Sequence, residues 1–133
     1  MKRVISFLIL LALMVSATVI PGSAGADNVL YTETGAGFVR LNGCPESDET
    51  LDLTTLDLPG TVNEIAAEAF VYDESIKTFI AAEGLERIDS FAFAGASCLE
   101  RVVLCDSLTT ICQGAFAECS ELREINIPQS VVN

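Results

Sequence analysis

Apolar residues recur at a fixed period of twenty-three positions through the second half of the chain. Three segments share the pattern I-x-x-x-A-F and end at Phe70, Phe93 and Phe116. Four further columns keep the same spacing: Leu53, Ile76, Leu99 and Leu122; Leu56, Phe79, Val102 and Ile125; Leu58, Ala81, Leu104 and Ile127; Val62, Leu85, Leu108 and Val131. One such unit cannot bury its apolar side chains alone, so the period predicts a solenoid of stacked coils.

Within each unit, apolar and polar residues alternate over a short stretch. In the last unit, Ile125 and Ile127 alternate with Glu124 and Asn126. Such strict alternation indicates a strand with one buried face, and stacking would pair these strands in a parallel ladder. The I-x-x-x-A-F segment is expected to form the return side of the coil, as a short strand or single helical turn. The predicted fold class is therefore a repeat solenoid, mainly β with short turns or single helical turns.

Residues 1–26 have the pattern of an export signal. Lys2 and Arg3 precede an almost entirely apolar run from Val4 to Ile20, and Ala24-Gly25-Ala26 offers small residues for cleavage. An uncleaved membrane anchor is the alternative, because the run is close to the minimum length for a membrane span. We expect cleavage before Asp27, a secreted or cell-surface location, and no membrane insertion of the mature chain.

Residues 27–50 are predicted to form an N-terminal β-hairpin cap. Two β-prone runs flank the turn sequence Gly35-Ala36-Gly37. Such a hairpin would cover the apolar face of the first coil, which would otherwise contact water. The predicted domains are thus a signal peptide at 1–26, the hairpin cap at 27–50 and the solenoid at 51–133.

The repeat sequence resembles the BspA-like leucine-rich repeat of bacterial and protozoan surface proteins. The segment Leu122-Arg-Glu-Ile-Asn-Ile-Pro-Gln-Ser-Val131 and the pattern I-x-x-x-A-F-x-x-C carry the resemblance, which covers 51–133. It implies a leucine-rich-repeat solenoid that mediates protein–protein or cell adhesion through its surface, with an extracellular or host protein as partner. The alternative is a structural spacer, or a fragment of a larger surface protein without binding activity of its own.

The repeat period also makes a prediction about the last coil. The next anchor isoleucine is due at position 134, so the coil around Leu122 to Val131 is expected to be uncapped. The chain would then be a truncated member, or its last coil would be covered by another chain. Self-association through this open repeat is one form of the second alternative.

Composition argues against several classes of function. The net charge is −12, with 19 acidic and seven basic residues, which does not suit nucleic acid or an anionic membrane surface. Histidine is absent, which excludes Ser-His-Asp and Cys-His catalytic groups and all histidine-containing metal sites. Residue type alone leaves a glycosidase-type carboxylate pair open. Because the acids recur on solvent-facing columns, we expect no enzyme and no cofactor, and we assign no metal site. Calcium binding by some of these oxygens stays open, although no D-x-D-x-D-G loop favours it.

Four of the five cysteines are evenly spaced along the chain, at 98, 105, 112 and 119. This spacing matches neither a zinc knuckle nor a redox motif. Cys119 stands at the cysteine of the A-F-x-x-C pattern, so the resemblance implies that it is a small buried apolar residue. The repeat period places Cys98 two columns from Cys119 in the adjacent coil, which would allow a disulfide in an exported protein. The odd number of cysteines leaves at least one thiol unpaired within a monomer.

The candidate binding surface is the outward face of the strand ladder. Its predicted members are Thr55, Asp57, Thr78, Ile80, Arg101, Val103, Glu124 and Asn126. Ile80 and Val103 are one repeat period apart, so they would form an apolar pair within a polar rim. Such a centre is typical of protein interfaces. The alternative is that two β-branched residues lie there only because they suit strands.

Overall fold

The computed structural model describes residues 17–20, 29–44 and 49–132. These residues form strands and turns without a helix. The strands are β1 (Ala17–Ile20), β2 (Val29–Gly35), β3 (Phe38–Gly43), β4 (Thr50–Asp52), β5 (Thr61–Ile65), β6 (Thr78–Ile80), β7 (Arg87–Ile88), β8 (Arg101–Val103), β9 (Thr110–Ile111) and β10 (Glu124–Ile125). No helix among the described residues is long and apolar enough to cross a membrane.

The strands form two sheets, and the chain alternates between them. The first sheet has the order β1-β2-β3-β5-β7-β9, and the second has the order β10-β8-β6-β4. β5, β7 and β9 pair in parallel, as do the four strands of the second sheet. Ile65 is paired with Ile88, and Ile88 with Ile111, so the repeat period is the register of the first sheet. The predicted solenoid is confirmed, with short strands on its return side.

Apolar residues of both sheets and of the intervening turns fill the inside of the coils. Phe70, Phe93 and Phe116 form a stack with ring centroids 5.0 and 5.3 Å apart and interplanar angles of 12° and 7°. The near-constant spacing is the rise from one coil to the next, close to the ~4.8 Å between paired strands. Phe93 is fully buried and also contacts Phe79 at 4.8 Å. Phe116 is partly buried because it has a ring neighbour on one side only among the described residues.

The hairpin predicted at the N-terminal end of the solenoid is present. β2 and β3 pair antiparallel around the turn, in which Ala36 has a φ of 55° between two glycines. β3 then pairs in parallel with β5, which joins the hairpin to the first coil. Tyr31, Val39 and Leu41 are buried, so the hairpin covers the first coil with apolar side chains.

Most of the predicted signal segment lies outside the described residues. Its described part is β1, which pairs antiparallel with β2. The predicted cleavage after Ala26 also lies outside them, as do residues 45–48. The boundaries drawn at 26 and 50 therefore stay predictions.

The first coil departs from the repeat period. The chain contains the sequence T-L-D-L twice, at 50–53 and at 55–58, and the period aligned the second copy with β6. In the structure the first copy pairs with β6, with Leu51 opposite Phe79, so the two partners are more than one period apart. The placement of Thr55 and Asp57 on the strand ladder was therefore wrong.

A turn directly after β4 is the physical reason for this register. The Asp52 carboxylate accepts hydrogen bonds from the Thr54 amide at 2.9 Å and the Thr54 hydroxyl at 2.6 Å. The Thr55 amide and hydroxyl both donate to the Asp52 carbonyl. These bonds end the strand, so Thr55 and Asp57 lie in the exposed connection that leads to β5.

Candidate functional site

The outward face of the second sheet consists of two columns of side chains. The paired strands align Thr50, Thr78, Arg101 and Glu124 in one column, and Asp52, Ile80 and Val103 in the other. Asn126 follows β10 directly. The central residue of each three-residue strand, Leu51, Phe79 or Val102, is buried, whereas its neighbours are partly or fully exposed. Alternation within each strand thus presents both columns to solvent.

Ile80 and Val103 form the apolar centre of this face. They are paired across β6 and β8, and both are partly exposed. Thr78 pairs with Arg101 on the same strands, so a polar column lies beside the apolar pair. The register thus places these four residues side by side as the repeat period predicts, and their role in binding stays a prediction.

A concavity of about 430 Å³ opens where β8 and β10 meet. Its lining combines charged and apolar groups: Arg101, Val102, Val103, Arg123, Glu124, Ile125 and Asn126. Arg101, Val103, Glu124 and Asn126 among them were predicted as ladder-face positions. Arg123 was not predicted, because it precedes the strand. Ile125 was not predicted either, because the alternation pattern placed its side chain inside the coil. Ile125 is 38% exposed and lines the concavity, although its pairing with Val102 keeps it in the inward column of the strand.

Charged side chains around the concavity are paired. Arg101 lies 3.3 Å from the Glu124 carboxylate, and Arg123 lies 2.8 Å from that of Glu121. Both pairs are well exposed, so each contributes at most about 1 kcal/mol to stability. A partner carboxylate could therefore replace Glu124 or Glu121 at modest cost. The fold does not depend on these two ion pairs, so Arg101 and Arg123 can pair with carboxylates of a partner instead.

The residues just before the strands of the second sheet alternate in charge: Glu49, Lys77, Glu100 and Arg123. Lys77, just before β6, contacts Glu49 at 2.7 Å. This hydrogen bond and the charge of Glu49 raise the pKa of Lys77, and Glu100 in the next coil adds to the effect. The N-terminal ends of the strands in the second sheet therefore carry a row of exposed charges beside the apolar pair, as in the polar rim of an interface.

The side-chain amide of Asn126 is hydrogen-bonded at both ends to the main chain of Leu104. Its Oδ1 accepts from the Leu104 amide at 2.7 Å, and its Nδ2 donates to the Leu104 carbonyl at 2.9 Å. In earlier coils a main-chain carbonyl fills the first role: Leu53 donates to Ile80, and Ala81 donates to Val103. The side chain of Asn126 replaces that carbonyl and ends β10 one residue early. Asn126 thus shapes the concavity more than it offers free hydrogen-bonding groups.

The cysteines do not form the disulfide considered from the sequence. In the structure Cys98 and Cys119 are not bonded to each other, and Cys44, Cys105 and Cys112 form no disulfide either. The Cys119 thiol donates to the Phe93 carbonyl at 3.1 Å, which directs it into the coil. Burial raises the pKa of this thiol. Among the described residues, no group of three or more Cys, Asp or Glu side chains is arranged to hold a metal ion.

Comparison with known proteins gives one family match and two similar structures. The family model of the BspA type leucine rich repeat region matches residues 48–133 in six copies. A leucine-rich repeat protein from Bacteroides ovatus has a TM-score of 0.67 and 22% identity, over 77% of this chain and 29% of that one. A leucine rich cell surface protein from Faecalibacterium prausnitzii has a TM-score of 0.63 and 17% identity, over 86% of this chain and 30% of that one.

These similarities differ in what they establish. At such identities the two structures show a common fold alone, and this chain spans about three tenths of the length of either protein. Among curated proteins, none is similar enough in sequence to count as a relative. The match over 48–133 includes the first coil and both outward columns of the second sheet.

Proposed function

Because the chain belongs to the BspA-type leucine-rich repeat family, we propose that it is an exported protein that binds a protein partner through the outward face of its second sheet. The observation that carries the proposal is the concavity between β8 and β10, beside the Ile80–Val103 pair. It combines an apolar centre with exchangeable charges at its rim. Interfaces concentrate their binding energy in such centres.

Export is part of the same proposal and has separate support. The N-terminal sequence has the order of charged, apolar and small residues found in signal peptides. The similar protein from Faecalibacterium prausnitzii is described as a cell surface protein. Mass spectrometry of the protein from culture medium or the cell surface should find Asp27 at the N-terminus. A full-length chain that begins at Met1 and stays with the cells would contradict export.

Binding can be tested with the double variant Ile80→Asp and Val103→Asp. Both changes place a carboxylate on the outward face, so they leave the buried side of β6 and β8 unchanged. The mature chain would be screened against immobilised extracellular matrix proteins by surface plasmon resonance. For any protein that binds the wild type, we expect the double variant to lose about 30-fold or more in affinity, as for the loss of an interface centre.

A matched control lies on the first sheet. Arg87 and Thr110 are paired on β7 and β9, as Ile80 and Val103 are on β6 and β8. The variant Arg87→Asp with Thr110→Asp should bind like the wild type. If this control loses binding while the variant Ile80→Asp with Val103→Asp keeps it, the partner occupies the face of the first sheet. Adhesion would then be assigned to that side.

Self-association through the last described coil is a second proposal. Ile127 and Val132 are 55% and 79% exposed, whereas Leu104, in the same column as Ile127 one coil earlier, is buried. Another copy or another repeat could cover these side chains. Sedimentation velocity should show dimers that Ile127→Asp abolishes. A wild-type chain that stays monomeric at high concentration would exclude this mode of assembly.

A further inference from the structure

Charge is distributed unevenly around the solenoid. The turn segments that follow β5, β7 and β9, at 66–76, 89–99 and 112–122, contain no Lys or Arg. Their acidic residues are Glu68, Asp73, Glu74, Asp89, Glu118 and Glu121. Asp89 and Glu121, at the ends of their segments, contact Arg87 and Arg123. Glu68 and Glu118 are exposed and form no ion pair with a described residue.

These turn segments have a repeated backbone conformation. Two positions in each segment have a positive φ between 57° and 70°, and they form two columns: Glu68, Phe91 and Gly114; Tyr72, Gly95 and Glu118. Equivalent hydrogen bonds connect the coils, since Tyr72 donates to Ala94 and Gly95 donates to Ala117, each at 2.8 Å. Each column therefore contains one aromatic residue, one glycine and one glutamate. We call these six residues the aromatic turn surface.

In both columns the aromatic ring lies against the glycine of the next coil. A Cβ added to Gly95 would be 2.3 Å from Cδ1 of Tyr72, and one added to Gly114 would be 2.5 Å from Cε1 of Phe91. Each ring thus occupies space that a side chain of the next coil would need. Tyr72 is nevertheless 71% exposed and Phe91 is 42% exposed. The packing limits where the rings can move while much of their surface stays open to a partner.

We propose that the aromatic turn surface docks a Lys- or Arg-rich segment of a protein partner. A guanidinium or ammonium group over an exposed ring gains a cation–π interaction. The surrounding carboxylates favour the same charge and would accelerate encounter with a basic partner. Tyr72 and Glu118 are two coils apart, about 10 Å, so a short extended segment reaches both. A second copy of this chain is a poor occupant, because its own net charge is −12.

The test uses a synthetic peptide of alternating Arg and Gly, labelled for fluorescence anisotropy, and the mature chain. Tyr72→Leu should weaken binding about two- to fivefold, and Tyr72→Leu with Phe91→Leu about five- to thirtyfold, the range for one and two exposed cation–π contacts. Leucine keeps apolar cover over the glycines but removes the π system. Tyr72→Phe keeps the π system and should bind like the wild type.

A second variant tests the charges without altering the rings. Glu68→Gln with Glu118→Gln should also weaken binding of the Arg peptide, and this loss should shrink as salt is raised. The exposed Gln129→Ala belongs to neither proposed surface and should leave binding unchanged. Loss of Arg-peptide binding in Ile80→Ser with Val103→Ser would instead place the peptide on the outward face of the second sheet and overturn this proposal. Circular dichroism establishes that each variant is folded. Equal affinity of the wild type and the double leucine variant, or equal binding of a glutamate peptide of the same length, would overturn the proposal.

Discussion

Replacing Phe93 with alanine tests the stack on which the solenoid depends. The Phe93 ring is fully buried and contacts three other rings at centroid distances of 4.8 to 5.3 Å. Truncation of a buried phenylalanine costs about 3–5 kcal/mol, through lost transfer free energy and the cavity left behind. Each aromatic pair contributes about 0.5–1.5 kcal/mol beyond burial. Because Phe93→Ala removes three ring contacts at once, we expect its cost in free energy of unfolding to lie at the upper end of this range, about 4–5 kcal/mol.

Phe91 provides a matched control two positions away in the same turn. Its ring is 42% exposed and lies over Gly114 rather than inside the coil. Phe91→Ala should therefore cost about 1 kcal/mol or less, as for most surface changes. Phe70→Ala should fall between the two, because the Phe70 ring is buried but stacks on Phe93 alone among the described rings.

Urea unfolding followed by far-UV circular dichroism measures these differences. The chain contains no tryptophan, so intrinsic tryptophan fluorescence is not a usable signal. A domain of this size has a total stability of about 5–15 kcal/mol, so Phe93→Ala should be marginally folded and is best compared at low temperature. Loss of coupling between neighbouring coils should also broaden the transition. Equal costs for Phe93→Ala and Phe91→Ala would refute the assignment of the stack as the core of the solenoid.

Three further changes have effects that the structure predicts. Gly95→Ala should cost at least about 1–2 kcal/mol, because alanine is strained at a φ of 70° and its Cβ would also displace the Tyr72 ring; a thermal melt that shows no loss would contradict this. Asn126→Ala should cost about 1–3 kcal/mol by leaving both Leu104 main-chain groups without their partner, whereas the exposed Gln129→Ala should be neutral in the same urea titration. The Ser90 amide lowers the pKa of Asp89, so this group stabilises the fold above its unfolded pKa of about 3.9, and the contribution is lost as pH falls through the folded pKa. Asp89→Asn should flatten the acid limb of a plot of Tm against pH, and an unchanged slope would contradict it.

The period of the apolar residues was sufficient to predict the solenoid and the positions of its inner side chains. Burial of Ile65, Ile88 and Phe93 follows from a repeat that cannot cover itself, without knowledge of the turns. The same reasoning placed Ile80 beside Val103, because a fixed register follows from a fixed period once the coils are regular. Each of these predictions requires that successive coils have the same length and register.

The first coil is irregular, and the repeat period alone does not determine which of its segments forms the strand. Two copies of T-L-D-L compete for one strand, and hydrophobic pattern and β propensity are the same for both. The choice depends on where the chain can turn, and Asp52 provides the turn by accepting bonds from Thr54. The second copy also carries the sequence D-L-P, with an aspartate at the same place, so local turn chemistry had to be compared between two nearly identical segments. Thr54 follows the first copy and donates its amide to Asp52, whereas Pro59 follows the second copy and has no amide to donate, so only the first copy ends in this turn.

The aromatic turn surface was missed for a different reason, although the sequence carried a signal for it. Gly95 and Gly114 follow Tyr72 and Phe91 by one repeat period, which places each glycine beside an aromatic residue of the preceding coil. That coincidence has meaning only when the two columns are known to adopt a positive φ, where glycine is favoured and the missing Cβ leaves space for a ring. A search for apolar columns passes over both pairs, because glycine does not count as apolar and an exposed tyrosine breaks no pattern. In this solenoid, a glycine one period after an aromatic residue therefore marks a ring that lies over the next coil and stays partly exposed.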